Sequence, residues 1–254
     1  MSQFKFPVFF SAVVLLTAPI VWLSGCSTTP VEDTFPPEIL IAEGKEMLEV
    51  DNGEEAKLKF QSILEDYPDS KERVTALMLL ARAHYQDREY EESKFHFNKF
   101  IELYPAHPNV DHAHFYKAMS DYKMMDISSR DQASTRDALE GFENLIKNFP
   151  KSSYRKKAEE KKHECWNNLA KNYFEIGKFY FRTGSYQSAI IRFKKFINLY
   201  PNQSFMDEAV FLLGESYFNE QNYQEAKGFY KKLLKQYPRS LFAKEARLRL
   251  RKLH

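Results

Sequence analysis

The chain has 254 residues, 43% of them hydrophobic, and a formal net charge of +2. That is enough apolar material for a buried core, and the near-neutral balance excludes a nucleic-acid binder working through bulk positive charge. Composition alone names no function.

At the N-terminus, Lys5 precedes an apolar run from Phe6 to Trp22, long for the core of a signal peptide and short for a comfortable membrane span. The run stops at Leu23-Ser24-Gly25-Cys26, which resembles the bacterial lipobox. There, small residues admit a signal peptidase that cuts before a lipidated cysteine, so the resemblance implies cleavage between Gly25 and Cys26 and acylation of the Cys26 thiol. Several acyl chains on Cys26 anchor a protein stably without leaving a helix in the bilayer. Ser27 in the second mature position implies sorting to the outer membrane. Residues 26–37, rich in Ser, Thr, Pro and acidic side chains, cannot pack and are expected to form a flexible tether after a signal peptide at 1–25. Beyond Cys26 only Cys165 remains, which rules out an intramolecular disulfide and points to a buried structural thiol.

The rest of the chain repeats itself. Five segments end in an aromatic residue and proline: Tyr67-Pro68, Tyr104-Pro105, Phe149-Pro150, Tyr200-Pro201 and Tyr237-Pro238. Eight residues before each proline stands Phe60, Phe97, Phe142, Phe193 or Tyr230, and twelve before it Ala56, Ser93, Ala138, Ala189 or Ala226. Five and four before it stand apolar pairs, and eight after it Ala76, Ala113, Ala158, Ala209 or Ala246. These offsets lay one continuous stripe along a helix that the proline stops. Gly44, Ala81, Gly177 and Gly214 lie 24 residues before their prolines, on a preceding helix. The pattern resembles the tetratricopeptide repeat and predicts an all-α solenoid of five helical hairpins with a capping helix over about 241–253.

The prolines are spaced by 37, 45, 51 and 37 residues, against about 34 for the standard unit, so the third and fourth repeats hold insertions. In the third, Asp126 to Gln132 reads as a polar loop. In the fourth, the first helix is predicted to run from about Tyr154 to Arg182. Charge divides along the array: residues 26–105 carry 18 acidic and 9 basic side chains, and residues 151–254 carry 10 and 22. The two ends are therefore expected to prefer different partners, and the basic half suits anionic lipid headgroups or an acidic domain.

No pattern for chemistry appears. His112 and His114, two apart on a helix, point to different sides, and His84, His96 and His107 lack cysteine or carboxylate partners at ligand spacing, so no metal and no cofactor are expected. Phosphate-cradling glycine loops and nucleophile elbows are likewise missing from the sequence. The expectation is a non-enzymatic protein whose groove, lined by first helices, takes an extended peptide. Counting repeat positions places Ile41, Lys45 and Leu48, then Met78, Arg82 and Tyr85, then Phe115, Met119 and Tyr122, on that face.

A lipobox followed by five such repeats, with insertions around the third and fourth, resembles the BamD family, formerly ComL, lipoprotein subunits of the outer-membrane β-barrel assembly machinery. His107-Pro108-Asn109-Val110-Asp111 is similar to the family's His-Pro-Asn-hydrophobic-Asp element, and Arg130-Asp131 to its Arg-Asp element. The resemblance implies that residues 38–150 bind the C-terminal strands of unfolded outer-membrane proteins. It also implies that residues 151–254 dock on the barrel-insertion subunit, with Arg192 where the family has a docking arginine, all on the periplasmic face of the outer membrane. The Lys- and Phe-rich last two repeats depart from the family's pattern. The alternative is an envelope tetratricopeptide scaffold of the Tol-Pal and cell-division coordinator type, whose pattern Asp207-Glu208-Ala209 to Tyr217 also approaches; a lipobox and the missing N-terminal heptads favour the first.

Overall fold

The computed structural model describes residues 35–253; the expected signal peptide, the expected Gly25-Cys26 cleavage and lipidation site and most of the expected tether lie outside them. From Pro36 onward the chain forms one compact unit. Its helices are α1 (Pro37–Glu49), α2 (Gly53–Asp66), α3 (Glu72–Gln86), α4 (Tyr90–Leu103), α5 (Val110–Lys123), α6 (Ala133–Asn148), α7 (Arg155–Arg182), α8 (Tyr186–Leu199), α9 (Met206–Asn219), α10 (Tyr223–Gln236) and α11 (Ala243–Lys252). Each packs on its neighbours in the chain, and first helices also meet across repeats, α1 on α3, α5 on α7 and α7 on α9. This is the tetratricopeptide solenoid, with α11 closing its C-terminal end.

The core is built from the repeated positions. The five small residues, the five aromatics eight before proline, the first of each apolar pair (Ile63, Phe100, Leu145, Phe196, Leu233) and the five alanines after proline are all fully buried. Each aromatic contributes about 1.5–3 kcal/mol by leaving water, and the small residues let the helices approach. A Cβ added at Gly44 would lie 2.5 Å from the Phe60 ring, at Gly177 2.7 Å from Phe193, and at Gly214 2.8 Å from Tyr230. In the third repeat the same crossing pairs Ala118 with Gly141.

Proline ends each second helix through the residue before it. Tyr67, Tyr104, Phe149, Tyr200 and Tyr237 have φ of −125, −131, −124, −128 and −129° and ψ of 58, 54, 62, 58 and 59°, because the proline ring excludes the α conformation just before it. Between the two helices of the first, second, fourth and fifth repeats the chain turns through a left-handed residue: Asp51, Arg88, Gly184 and Gln221.

The two insertions support each other. The loop between α5 and α6 is braced within by Gln132, whose side-chain amide donates to the carbonyls of Ile127 (2.9 Å) and Arg130 (3.1 Å). The 28-residue α7 reaches it from outside, where Asn168 donates to the Asp126 carbonyl (3.2 Å) and Asn172 to that of Ser128 (2.6 Å). The extra length of α7 therefore holds the extra residues of the third repeat. Cys165, on the same helix, is buried, its sulfur 3.6 Å from that of Met125.

Two charged clusters tie helices together. The Lys57 ammonium lies 2.8, 2.9 and 2.8 Å from Glu54, Asp87 and Glu89; burial disfavours its charge, but these three carboxylates outweigh that and hold it above the ordinary lysine range. At the other end, Arg249 of α11 grips the buried Glu215 of α9 in two-pronged fashion at 2.8 Å on each oxygen, and the Tyr230 hydroxyl donates to the same carboxylate at 2.5 Å.

Candidate peptide-binding site

Three first helices, one second helix and one turn line an open cavity of about 290 Å³, formed by Lys45 of α1, Val74, Thr75, Met78, Leu79 and Arg82 of α3, Phe100 of α4, His107 and Asn109 of the turn, and His112 of α5. The helical period does the positioning: Thr75, Met78 and Arg82 follow at three- and four-residue steps and so share one face. The turn is set by the His107-Pro108-Asn109 segment, in which the Asn109 backbone N–H donates to His107 Nδ1 at 3.1 Å.

The electrostatics run against the surroundings. This half of the array is strongly acidic, yet the lining holds two cations and no carboxylate. Neither Lys45 nor Arg82 has an ion-pair partner among the described residues. Burial, with the Arg82 charge beside it, pushes the His112 imidazole down to about 4 and keeps it neutral, although Asp111 opposes this. Its Nδ1 is buried without a hydrogen-bond partner. An apolar floor, two unpaired cations and a neutral ring together suit an anionic terminus joined to an apolar or aromatic side chain.

Of the residues expected on this face, Lys45, Met78 and Arg82 come together in the cavity. Leu48 is half-buried at the edge of the first-repeat core. Ile41 belongs to that core, and Phe115 and Met119 to the third-repeat core, with 9, 1 and 5% of their surfaces exposed. Tyr85 is half-buried with its ring 5.4 Å from Tyr90 and 5.1 Å from Tyr116; burial, then those neighbours, pushes its hydroxyl up to about 12. Tyr122 donates to Glu164 and lies 4.5 Å beneath the Lys161 ammonium, so α7 engages it. Arg192 stands half-buried on α8, beside the 65%-exposed Ile191.

Thr75 and His112 line the cavity without having been expected there. Each stands three residues before a counted position, Met78 and Phe115, so the same register read one turn earlier identifies both. His107 and Asn109 come from a turn, which helical counting does not reach.

The family model for an outer membrane lipoprotein, YfiO, matches residues 34–227. The outer membrane protein assembly factor BamD of Caulobacter vibrioides is 30% identical over 81% of this chain and 68% of its own length. BamD of Neisseria gonorrhoeae is 28% identical over 78% of this chain and 80% of its own, and that of Xylella fastidiosa strain Temecula1 25% identical over 80% and 75%. Among solved structures, the TPR2AB-domain:pHSP90 complex of yeast Sti1 covers 85% of this chain and 82% of its own at 16% identity, with a TM-score of 0.47. With the repeat positions buried as the tetratricopeptide pattern requires, and with the family model spanning most of the array, the chain belongs to the YfiO family of outer membrane lipoproteins, the family of the BamD assembly factors.

Proposed function

We propose that this protein is a lipid-anchored, non-catalytic subunit of the outer-membrane β-barrel assembly machinery. Its first three repeats, residues 38–150, receive the C-terminal strands of unfolded outer-membrane proteins, and residues 151–254 dock on the barrel-insertion subunit, with Arg192 in that contact. The observation that carries the client-binding part is the cavity between α1, α3 and α5: Lys45 and Arg82, unpaired and facing an apolar floor, in a half of the molecule otherwise dominated by carboxylates. A β-barrel strand that ends in an aromatic side chain and a free carboxylate presents both complements at once. The family membership and the names of the relatives support the assembly role.

The test is peptide binding. Lys45→Glu combined with Arg82→Glu is expected to lower the affinity for peptides copying barrel C-termini by tenfold or more, since a charge-assisted contact is worth about 1.5–3 kcal/mol, while circular dichroism stays unchanged. Equal affinity for parent and variant, measured by fluorescence anisotropy, would remove the groove from the proposal. The anchor has its own test: Cys26→Ala is expected to yield a chain without added lipid mass that leaves the membrane fraction in a high-salt wash. An unlipidated chain that resists the wash would contradict anchoring through Cys26.

A further inference from the structure

The C-terminal end of the solenoid has a surface that client binding and Arg192 leave unexplained. From Tyr223 to Leu253 the chain carries ten Lys and Arg against two Glu. On α11, Ala243, Ala246, Leu250 and Leu253 turn inward. The opposite face carries Lys244, Arg247, Arg251 and Lys252, all exposed, around Leu248, which is 40% exposed; the helix's one carboxylate, Glu245, pairs with Arg249 at 3.6 Å.

Comparing repeats at equal distance from proline shows what is unusual. Nine and thirteen residues after proline, α3 and α9 carry Leu77 and Ala81, and Val210 and Gly214, all buried, α5 carries the half-buried His114 and the buried Ala118, and α7, lengthened by its insertion, carries the exposed Glu159 and His163, a pair without a fixed positive charge. In α11 the same positions are Arg247 and Arg251. Three residues after proline, the other turns carry Lys71, Pro108, Ser153 and Ser204, whereas the last carries Leu241, 93% exposed. Leu241 is not loose: the next residue, Phe242, stacks on Phe211 at 5.1 Å, and its backbone N–H donates to the Ser240 hydroxyl at 3.1 Å. A polar cap for solubility explains a charged face, but acidic residues or mixed signs serve that purpose at least as well, and an exposed leucine serves it badly. Leucines fringed by four exposed cations match a bilayer with anionic headgroups, into whose boundary the leucines dip while the cations meet phosphate.

We propose that this end of the molecule, the outward face of α11 with the Leu241 turn, docks on anionic phospholipid bilayers. This surface is separate from the client cavity and does not depend on it. The occupant is lipid rather than an acidic protein, because Leu241 and Leu248 are exposed singly among cations, a combination that a bilayer boundary with anionic headgroups complements on both counts. Arg249 takes no part, being committed to Glu215.

The chain from residue 36, which forms the compact unit by itself, is mixed with vesicles of phosphatidylcholine containing phosphatidylglycerol, or of phosphatidylcholine alone, and sedimented. Binding is expected only to the anionic vesicles and to weaken with salt. Each cation near such a surface contributes about a fivefold factor, so the variant with Lys244, Arg247, Arg251 and Lys252 all changed to Glu is expected to lose a factor of about 100 or more. Leu241→Ser with Leu248→Ser is expected to reduce binding several-fold. All six residues face solvent, and helicity by circular dichroism checks that both variants are folded. Three outcomes overturn the proposal: equal binding to neutral vesicles, unchanged binding by the charge-reversed variant, or capture by immobilised polyglutamate with no vesicle binding, which assigns the face to an acidic protein.

Discussion

Arg249→Ala is expected to lower the free energy of unfolding by about 3 kcal/mol, because it strips the partner from a carboxylate that the fold has taken out of water. The Glu215 side chain is only 8% exposed, and both of its oxygens accept from Arg249. That carboxylate first, and Glu245 more weakly, holds the guanidinium in its charged form, against burial. Burial, then Glu215 itself, pushes the Tyr230 hydroxyl above its ordinary range and keeps it a donor. The guanidinium also covers Phe218, 5.2 Å from the ring centroid. Removing Arg249 leaves Tyr230 as the one remaining hydrogen-bond partner of Glu215 among the described residues and releases α11 from α9. In a solenoid each element is stabilised by its neighbours, so hydrogen exchange should speed up first in α11 and α10 and little in α1 to α4. The double variant Glu215→Gln with Arg249→Met, which removes both charges, is expected to recover most of the loss. A single variant within about 0.5 kcal/mol of the parent in urea unfolding would show that the pair is solvated in solution and does not lock the cap.

How much of this was legible beforehand differs by element. The second helices were readable almost residue by residue, since a stripe of small, aromatic and apolar positions ending in proline has a single packing solution; Ala56, Phe60 and Ile63 and their counterparts are all buried. The long α7 was readable because no proline, and no breaker except Gly177, falls between Tyr154 and Arg182. The turns inside the repeats were not, because Asp51, Arg88 and Gln221 adopt a left-handed conformation that sequence usually marks with glycine; the packed helices on either side impose it. Nor was the service that α7 performs for the preceding loop, since Asn168 and Asn172 lie more than forty residues from the carbonyls they reach. For the groove, counting separated face from back but could not separate surface from core. Lys45 and Arg82 stand in the cavity because long cationic side chains extend beyond the helix surface, whereas Phe115 and Met119 at equivalent counts are drawn beneath it by α6 and α7.

Acidification is expected to destabilise the N-terminal repeats over the window from about 6.5 down to about 4. Burial holds the His96 and His112 imidazoles down to about 4, from an ordinary 6.5, helped by His84 and Lys99 at the first and by Arg82 at the second. The sign follows from proton counting: between those values the unfolded chain has taken up protons that the folded chain refuses, so stability present above 6.5 is lost as pH falls toward about 4. Discounted for partial exposure, each ring accounts for about 1–2 kcal/mol. His114, also held down by burial, acts in the same direction. So does Glu89, whose carboxyl is held below its ordinary value by the Lys57 hydrogen bond and then by His84. Asp121 works against them, since burial raises its carboxyl despite Lys94 and it protonates more readily when folded. The histidines are expected to prevail because protonating His96 sets a cation against His84, whose ring stacks on it at 5.1 Å, and protonating His112 sets one beside Arg82. Urea unfolding across the window measures the slope, and His96→Gln with His112→Gln should flatten it. If the double variant keeps the parent's slope, the carboxylates carry the acid sensitivity and the two rings are better solvated in solution than their packing indicates.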